Sequence, residues 1–142
     1  MKFNCTVNIN RSIKDVSEAF QDPEVMKACQ EGLIEIIHLS GERGKKGSTA
    51  KIVYEKMELI ETIIENNLPD IFFAEYDHKH TNNTMKVSFK EISPTKTEYY
   101  TEIEYLEFKG FIVNLMAKIA PSFFKKQVLK WMKRYKQHLE TK

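Results

Sequence analysis

Four histidines, six tyrosines and two cysteines are the residues of this 142-residue chain best suited to proton transfer, ligand orientation or metal binding. His78 and His80 would project to the same side of an extended strand, as two metal ligands must, but a mononuclear site needs a further carboxylate or histidine. The nearby Glu75 and Asp77 fall on the opposite face, so the pair reads as histidines at a strand end. His78 alone keeps chemical interest. If Phe72, Ala74 and Tyr76 mark the covered face of their strand, its imidazole lies at the rim, suited to binding a ligand oxygen or shuttling a proton. Tyr54, Tyr76, Tyr99 and Tyr105 join apolar area to a hydroxyl, the mixture that orients a ligand in an apolar pocket and equally one found in cores. Cys5 and Cys29 have neither CxxC nor Cys/His ligand spacing and read as free buried thiols. No metal and no cofactor is expected. No Ser/His/Asp or Cys/His nucleophile arrangement can be assembled, and the strand glutamates fall mainly outward, leaving no paired-carboxylate site. The segment Gly41-Glu42-Arg43-Gly44-Lys45-Lys46-Gly47 is no phosphate loop, because its spacing is wrong and a strand rather than a helix follows.

The elements that must position these residues follow from periodicity. Phe3, Cys5, Val7 and Ile9 alternate with polar residues, the pattern of a half-buried strand. Ser12 with Asp15 is a capping signal for a helix carrying Ile13, Val16 and Phe20 on one face. Asp22-Pro23 starts a second short helix that turns Val25, Met26 and Cys29 inward and ends at Gly32. Six strands are then expected: Leu33 to Leu39, Thr49 to Lys56, Glu58 to Glu65, Ile71 to His78, Thr84 to Ile92 and Thr97 to Tyr105. Turns separate them at the glycine segment, at 66–70, at Thr81-Asn82-Asn83 and at Ser93-Pro94-Thr95-Lys96. In the last hairpin Met85, Val87 and Phe89 share a side with Tyr99, Thr101, Ile103 and Tyr105, while Lys86 and Lys90 face Glu98, Glu102 and Glu104 outside.

Charge is divided unevenly. From Phe111 to the C-terminus the chain holds eight of its 22 Lys/Arg and one of its 20 Asp/Glu, a net +7 against −5 for the rest. Ile112, Leu115, Met116, Ile119 and Phe123 form one apolar stripe; Phe124, Val128, Trp131, Met132, Tyr135 and Leu139 form another, displaced by roughly a third of a turn. Both stripes reach one core only if the axis breaks, and Pro121 predicts a kink near Ala120 to Ser122. Lys126, Lys130, Lys133 and Arg134 share the opposite side, a solvated face that also suits anionic lipid headgroups. No nucleic-acid motif accompanies it. No apolar run approaches the roughly 20 residues needed to span a bilayer, and the N-terminus turns polar too soon for a secretory signal, so cytoplasmic residence is expected.

Strand, two short helices, six antiparallel strands and a long C-terminal helix is the order of the helix-grip fold, and the chain resembles the START-like superfamily, also called SRPBCC, of the polyketide cyclase/dehydrase and lipid-transport type. The resemblance rests on Ile9-Asn10-Arg11-Ser12 with Val16 and Phe20, the Asp22-Pro23 step, the Gly44 to Gly47 turn, and the closing run from Gly110 through Pro121 and Trp131 to Leu139. It implies an α+β fold in one domain over residues 1–142: a curved seven-stranded antiparallel sheet with a long kinked helix over its concave face. It further implies an apolar cavity between sheet and helix, of the kind that holds lipids, sterols, polyketides or hormones.

The expected function is binding or transport of a small hydrophobic molecule such as a lipid, fatty acid or polyketide. The lining is expected from Tyr54, Tyr76, His78, Phe89, Tyr99, Thr101, Ile103, Tyr105, Phe124, Val128 and Trp131. The first alternative is a cyclase or dehydratase in which His78 and Tyr76 or Tyr99 move protons; binding is favoured because His78 is the only suggestive acid or base. The second is a membrane or protein adaptor acting through the basic helix. A small apolar ligand, anionic membrane and no nucleic acid are the expected partners; ligand identity and oligomeric state stay open.

Overall fold

Alternation and capping do place the elements. The computed structural model describes residues 1–111, 115, 118 and 121–142. In chain order the elements are β1 (Lys2–Ile9), α1 (Ile13–Phe20), α2 (Pro23–Cys29), β2 (Leu33–Ser40), β3 (Thr49–Tyr54), β4 (Glu58–Asn67), β5 (Ile71–Asp77), β6 (Thr81–Ser93), β7 (Lys96–Phe108) and α3 (Pro121–Glu140). The Ser12 hydroxyl accepts the Asp15 N–H at 3.2 Å and the Asp22 carboxylate accepts the Glu24 N–H at 2.9 Å, so each short helix has an orphan donor satisfied at its start. Val16, Val25 and Cys29 are the residues these two helices bury.

The seven strands form one antiparallel sheet in the order β1-β7-β6-β5-β4-β3-β2, so the first and last strands are neighbours and β2 forms the far edge. Register shifts between Leu33 and Glu35, His38 and Ser40, and Ile63 and Glu65 bend it, since an extra residue on one strand increases the local twist. In the loop between β2 and β3, Gly41 has φ +77°, and a Cβ there would stand 2.8 Å from the Ser48 Cα; only glycine fits. The loop folds back onto β4 through the Gly47 N–H, which donates to Ile63 O at 2.7 Å.

The last hairpin pairs as its alternation requires: Lys86 opposite Glu102, Lys90 opposite Glu98, Val87 opposite Thr101 and Phe89 opposite Tyr99. Outer ion pairs such as Lys2–Glu102 at 3.3 Å are exposed enough to contribute no more than about 1 kcal/mol each, so the buried face sets the register. The Asn-Asn pair does not make the turn expected at 81–83. β6 begins at Thr81, and the chain reverses through 78–80, closed by the His78 N–H donating to Thr81 O at 2.8 Å. The Asn82 amide donates across the strands to Glu75 (3.2 Å) and Asp77 (3.3 Å), which holds it extended.

α3 runs along β1 and against α2, burying Met132, Tyr135 and Leu139 as its second apolar stripe predicts. The first stripe is not all inward: Leu115 is 45% and Phe123 60% exposed. Phe124, not Phe123, takes the inward position, packing on Tyr105 and Phe108. Ile112, Met116 and Ile119, and the Ala120 side of the expected kink, lie outside the described residues. Cys5 and Cys29 are free and buried.

Candidate ligand-binding site

Two neighbourhoods occupy the concave face beneath α3. Towards α1, Phe20 presents its ring edge-on to Phe72 and Phe89 at 5.5 Å and to Tyr99 and Tyr135 at 6.2 Å. Phe72, Phe89, Tyr99 and Tyr135 are all buried, and the Tyr135 hydroxyl donates to Val16 O on α1. Such edge-to-face contacts suit the ring quadrupole and fill volume without voids. Burial pushes the Tyr99 hydroxyl up to about 12.

The other neighbourhood is built from β3, β4 and β5. Ala50, Glu61 and Tyr76 stand side by side on three successive strands, and Asn83 and Tyr105 continue the row across β6 and β7. The Tyr76 hydroxyl donates to Glu61 Oε2 at 2.7 Å. The Tyr54 hydroxyl donates to Gln30 Oε1 at 2.6 Å, tying β3 to the end of α2, and its ring lies parallel to Trp131 with centroids 6.1 Å apart. Trp131 Nε1 is buried and has no acceptor among the described residues, an unusual state for an indole donor.

Burial raises the Glu61 carboxyl above its ordinary range, offset in part by the bond from Tyr76. Tyr76 is raised well above its ordinary value, first by burial and then by the Glu61 charge; Tyr54 is raised by the same two causes. Glu61 and Tyr76 lie deep in the fold, yet each is only half-buried, whereas Tyr99 at comparable depth is 7% exposed. Register places both side chains on the sheet face that also carries the buried Ile63 and Ala74.

The expected lining residues therefore separate. Tyr54, Tyr76 and Trp131 belong to the polar neighbourhood. Phe89, Tyr99, Thr101 and Ile103 are sealed in the core at 7% exposure or less. Val128 packs against that core. Tyr105 and Phe124 form a ring cluster with Phe108, with Tyr105 to Phe124 at 5.0 Å, and burial pushes the Tyr105 hydroxyl up to about 12. His78 lies beyond the end of β5. Its Nδ1 accepts the His80 N–H at 3.1 Å and its ring meets His80 at 5.4 Å, while Lys109 Nζ bridges Asp77 Oδ1 (2.8 Å) and His78 O (3.1 Å). Burial and the neighbouring His80 and Lys109 charges lower its pKa, so the ring is held neutral in a turn brace. Among the described residues no third metal-ligating group joins the two histidines.

Glu61 and Gln30 were not foreseen. Strand β4 is apolar on both faces, with Leu59 and Ile63 flanking Glu61 on one and Ile60 and Ile64 on the other, so alternation alone does not tell which face is covered. The usable signal is the single charge between Leu59 and Ile63.

Surface depressions flank α3 rather than enter it. One, of about 620 Å³, is lined by Val7, Asn8, Lys133, Lys136 and Glu140 among others; another, of about 370 Å³, by Lys126, Leu129, Lys130, Lys133 and Arg134. Lys130 and Arg134 are paired with Glu31 of the loop after α2, at 3.6 and 3.4 Å. No helix among the described residues is long and apolar enough to cross a membrane.

No protein-family model matches the sequence, and no curated protein is significantly similar to it. Its fold is nonetheless shared. The Zhui aromatase/cyclase from Streptomyces sp. R1128 superposes with a TM-score of 0.82 at 6% identity, covering 99% of this chain and 93% of that one. A START superfamily protein from Mycobacterium smegmatis gives 0.77 at 14%, with 99% and 97% covered. Ara h 8.0201 gives 0.70 at 10%, with 100% and 99% covered. The chain has the START-like helix-grip fold over its whole length. At such identities this likeness establishes the fold alone.

Proposed function

We propose that the protein binds a small hydrophobic molecule between the concave sheet face and α3, in the cytoplasm. The observation that carries this reading is the incomplete sealing of Glu61 and Tyr76, two deep polar residues that keep accessible surface while Phe72, Phe89, Tyr99 and Tyr135 beside them keep 7% or less. A deep polar pair in an apolar setting is how a mostly greasy pocket orients its ligand. Tyr54, Tyr76, Tyr105, Phe124 and Trp131 supply the apolar wall in this reading, with His78 at its rim. Binding rather than turnover fits a His78 imidazole whose Nδ1 is engaged by the His80 N–H of its own turn. Purifying the protein natively, extracting it with organic solvent and weighing the extract against that of an unrelated protein of equal size tests the idea. One lipid, fatty acid or polyketide per chain is expected; an empty extract together with no uptake of added fatty acid or long-chain alcohol would overturn it.

A second reading concerns where the ligand is exchanged. Phe111 is 79% and Phe123 60% exposed, with Lys125 and Lys126 following directly, the combination by which a peripheral protein inserts rings and pairs charges at an anionic bilayer. Of the basic residues expected there, Lys130 and Arg134 already pair with Glu31, which leaves Lys126 and Lys133 as the chief contributors. Flotation with phosphatidylserine vesicles should fall on Phe123→Ser and on joint charge reversal of Lys126 and Lys133, and with added salt. Flotation unchanged by all three would remove this reading.

A further inference from the structure

Glu61 is a deep, partly buried carboxyl that has no counter-charge among the described residues. Glu102, Glu58, Asp77 and Glu140, by contrast, each have a lysine within ion-pair distance. Among the described residues Glu61 has no cation within ion-pair distance, and its recorded partner is the Tyr76 hydroxyl on Oε2. That single bond leaves Oε1 able to accept from a further donor. Its surroundings are aromatic: Tyr76 from β5, Tyr54 from β3, and Trp131 from α3 stacked on Tyr54.

Resting on the ligand-binding reading above, we infer that this site recognises a lipophilic amine: an apolar chain or ring system whose protonated nitrogen donates to Glu61 Oε1 while aromatic faces contact its charge. The chemistry follows from what the site lacks. An isolated carboxylate out of water is costly, and a ligand that brings one positive charge and N–H donors removes that cost. Aromatic faces attract cations, Trp most strongly, and a carboxylate beside them adds a direct partner. An alcohol would donate to the same oxygen but leave the charge uncompensated. A fatty acid would add a second negative charge beside Glu61, which this site disfavours.

The test uses three probes of equal chain length, decylamine, decanol and decanoate, titrated into the intact protein at neutral pH by calorimetry, with Glu61→Gln alongside. Decylamine is expected to bind about 10- to 100-fold more tightly than decanol, the range of charge-assisted hydrogen bonds, with decanoate weakest. Glu61→Gln should abolish the preference, bringing the decylamine-to-decanol affinity ratio measured within the variant close to one. The wild-type ranking stands as evidence even if the variant folds poorly. If decanol or decanoate binds as tightly as decylamine, or if Glu61→Gln keeps the amine preference, the amine assignment is wrong while hydrophobic binding survives. If none of the three binds, both readings fall.

Discussion

At one end of the concave face the Phe20 ring meets the edges of four other rings; at the other, Tyr54 lies flat on Trp131 and Tyr76 donates to a carboxylate. Both neighbourhoods hang from the same sheet, and both are covered by α3. They differ in what their side chains ask of their surroundings. Phe72 and Phe89 need only contact, so close packing against Phe20, itself partly exposed, satisfies and seals them. Glu61, Tyr76, Tyr54 and Gln30 need hydrogen bonds, and the two bonds they form, at 2.6 and 2.7 Å, leave acceptor capacity on Glu61 unused. On the proposed reading, the sealed end supplies stability and the polar end supplies selectivity for a ligand.

Phe20→Ala attacks the sealed end and should have the largest effect. Removing the ring at the centre of four edge-to-face contacts opens space among rigid aromatics, and because Phe20 is only partly buried the loss should be about 2–4 kcal/mol, somewhat below that of a fully buried ring. Urea unfolding monitored by circular dichroism measures it. A loss below about 1 kcal/mol would show that this end is loosely packed too.

Glu61→Gln probes the polar end with the opposite sign. Burial holds the Glu61 pKa in the folded state above its ordinary 4.5, so between those two values the folded chain keeps a proton that the unfolded chain has released. Stability therefore declines as pH rises through the folded-state value. The amide escapes that cost and still accepts the Tyr76 hydroxyl. At pH 8 the variant should be the more stable by on the order of 1–3 kcal/mol, the cost of a poorly satisfied buried polar group, and the advantage should vanish near pH 4. Thermal melts of both proteins at the two pH values decide it; a variant less stable at pH 8 would mean that Glu61 is well solvated or paired.

Much of the sealed end was legible in the chain itself, and the polar end was not. Val16 and Phe20 follow from helical spacing after a Ser12 cap, and Phe89 opposite Tyr99 follows from strict alternation in a hairpin whose other face is charged. Glu61 escaped because β4 is apolar on both sides and a register shift after Ile63 breaks the alternation there. Gln30 escaped because its role depends on where α2 ends relative to β3, a tertiary fact. The Asn82-Asn83 dipeptide pointed to a turn, but Glu75 and Asp77 on the neighbouring strand offered its amide better partners than a local turn does. Leu115 and Phe123 have core-like spacing yet stand exposed, because spacing records which residues share a face and not what that face meets.

Tyr54→Phe sharpens the contrast on a smaller scale. It keeps the stack on Trp131 and removes only the 2.6 Å bond to Gln30, so a loss of about 1 kcal/mol is expected, the net value of an ordinary hydrogen bond. If the loss reaches about 3 kcal/mol, Gln30 is left buried without a replacement partner, and water does not reach this end.

Ala50→Phe should have the smallest effect on stability and the sharpest meaning. Ala50 pairs with Glu61 across β3 and β4, so its methyl group lies on the concave face beside the carboxylate. Forcing a phenyl ring into a sealed core costs about 1–3 kcal/mol, because neighbours must leave their rotamers. Where the interior is already unsealed the ring has room, and its own burial offsets whatever shifts it causes. The variant should unfold within about 1 kcal/mol of the parent and lose its uptake of decanol, because the ring occupies the ligand's place. Destabilisation at the upper end of the overpacking range, with decanol uptake no different from the parent, would mean that the space around Glu61 is filled by the protein itself. The residual exposure of Glu61 and Tyr76 would then reflect a narrow cleft to solvent, and the difference between the two ends would be one of polarity without one of packing.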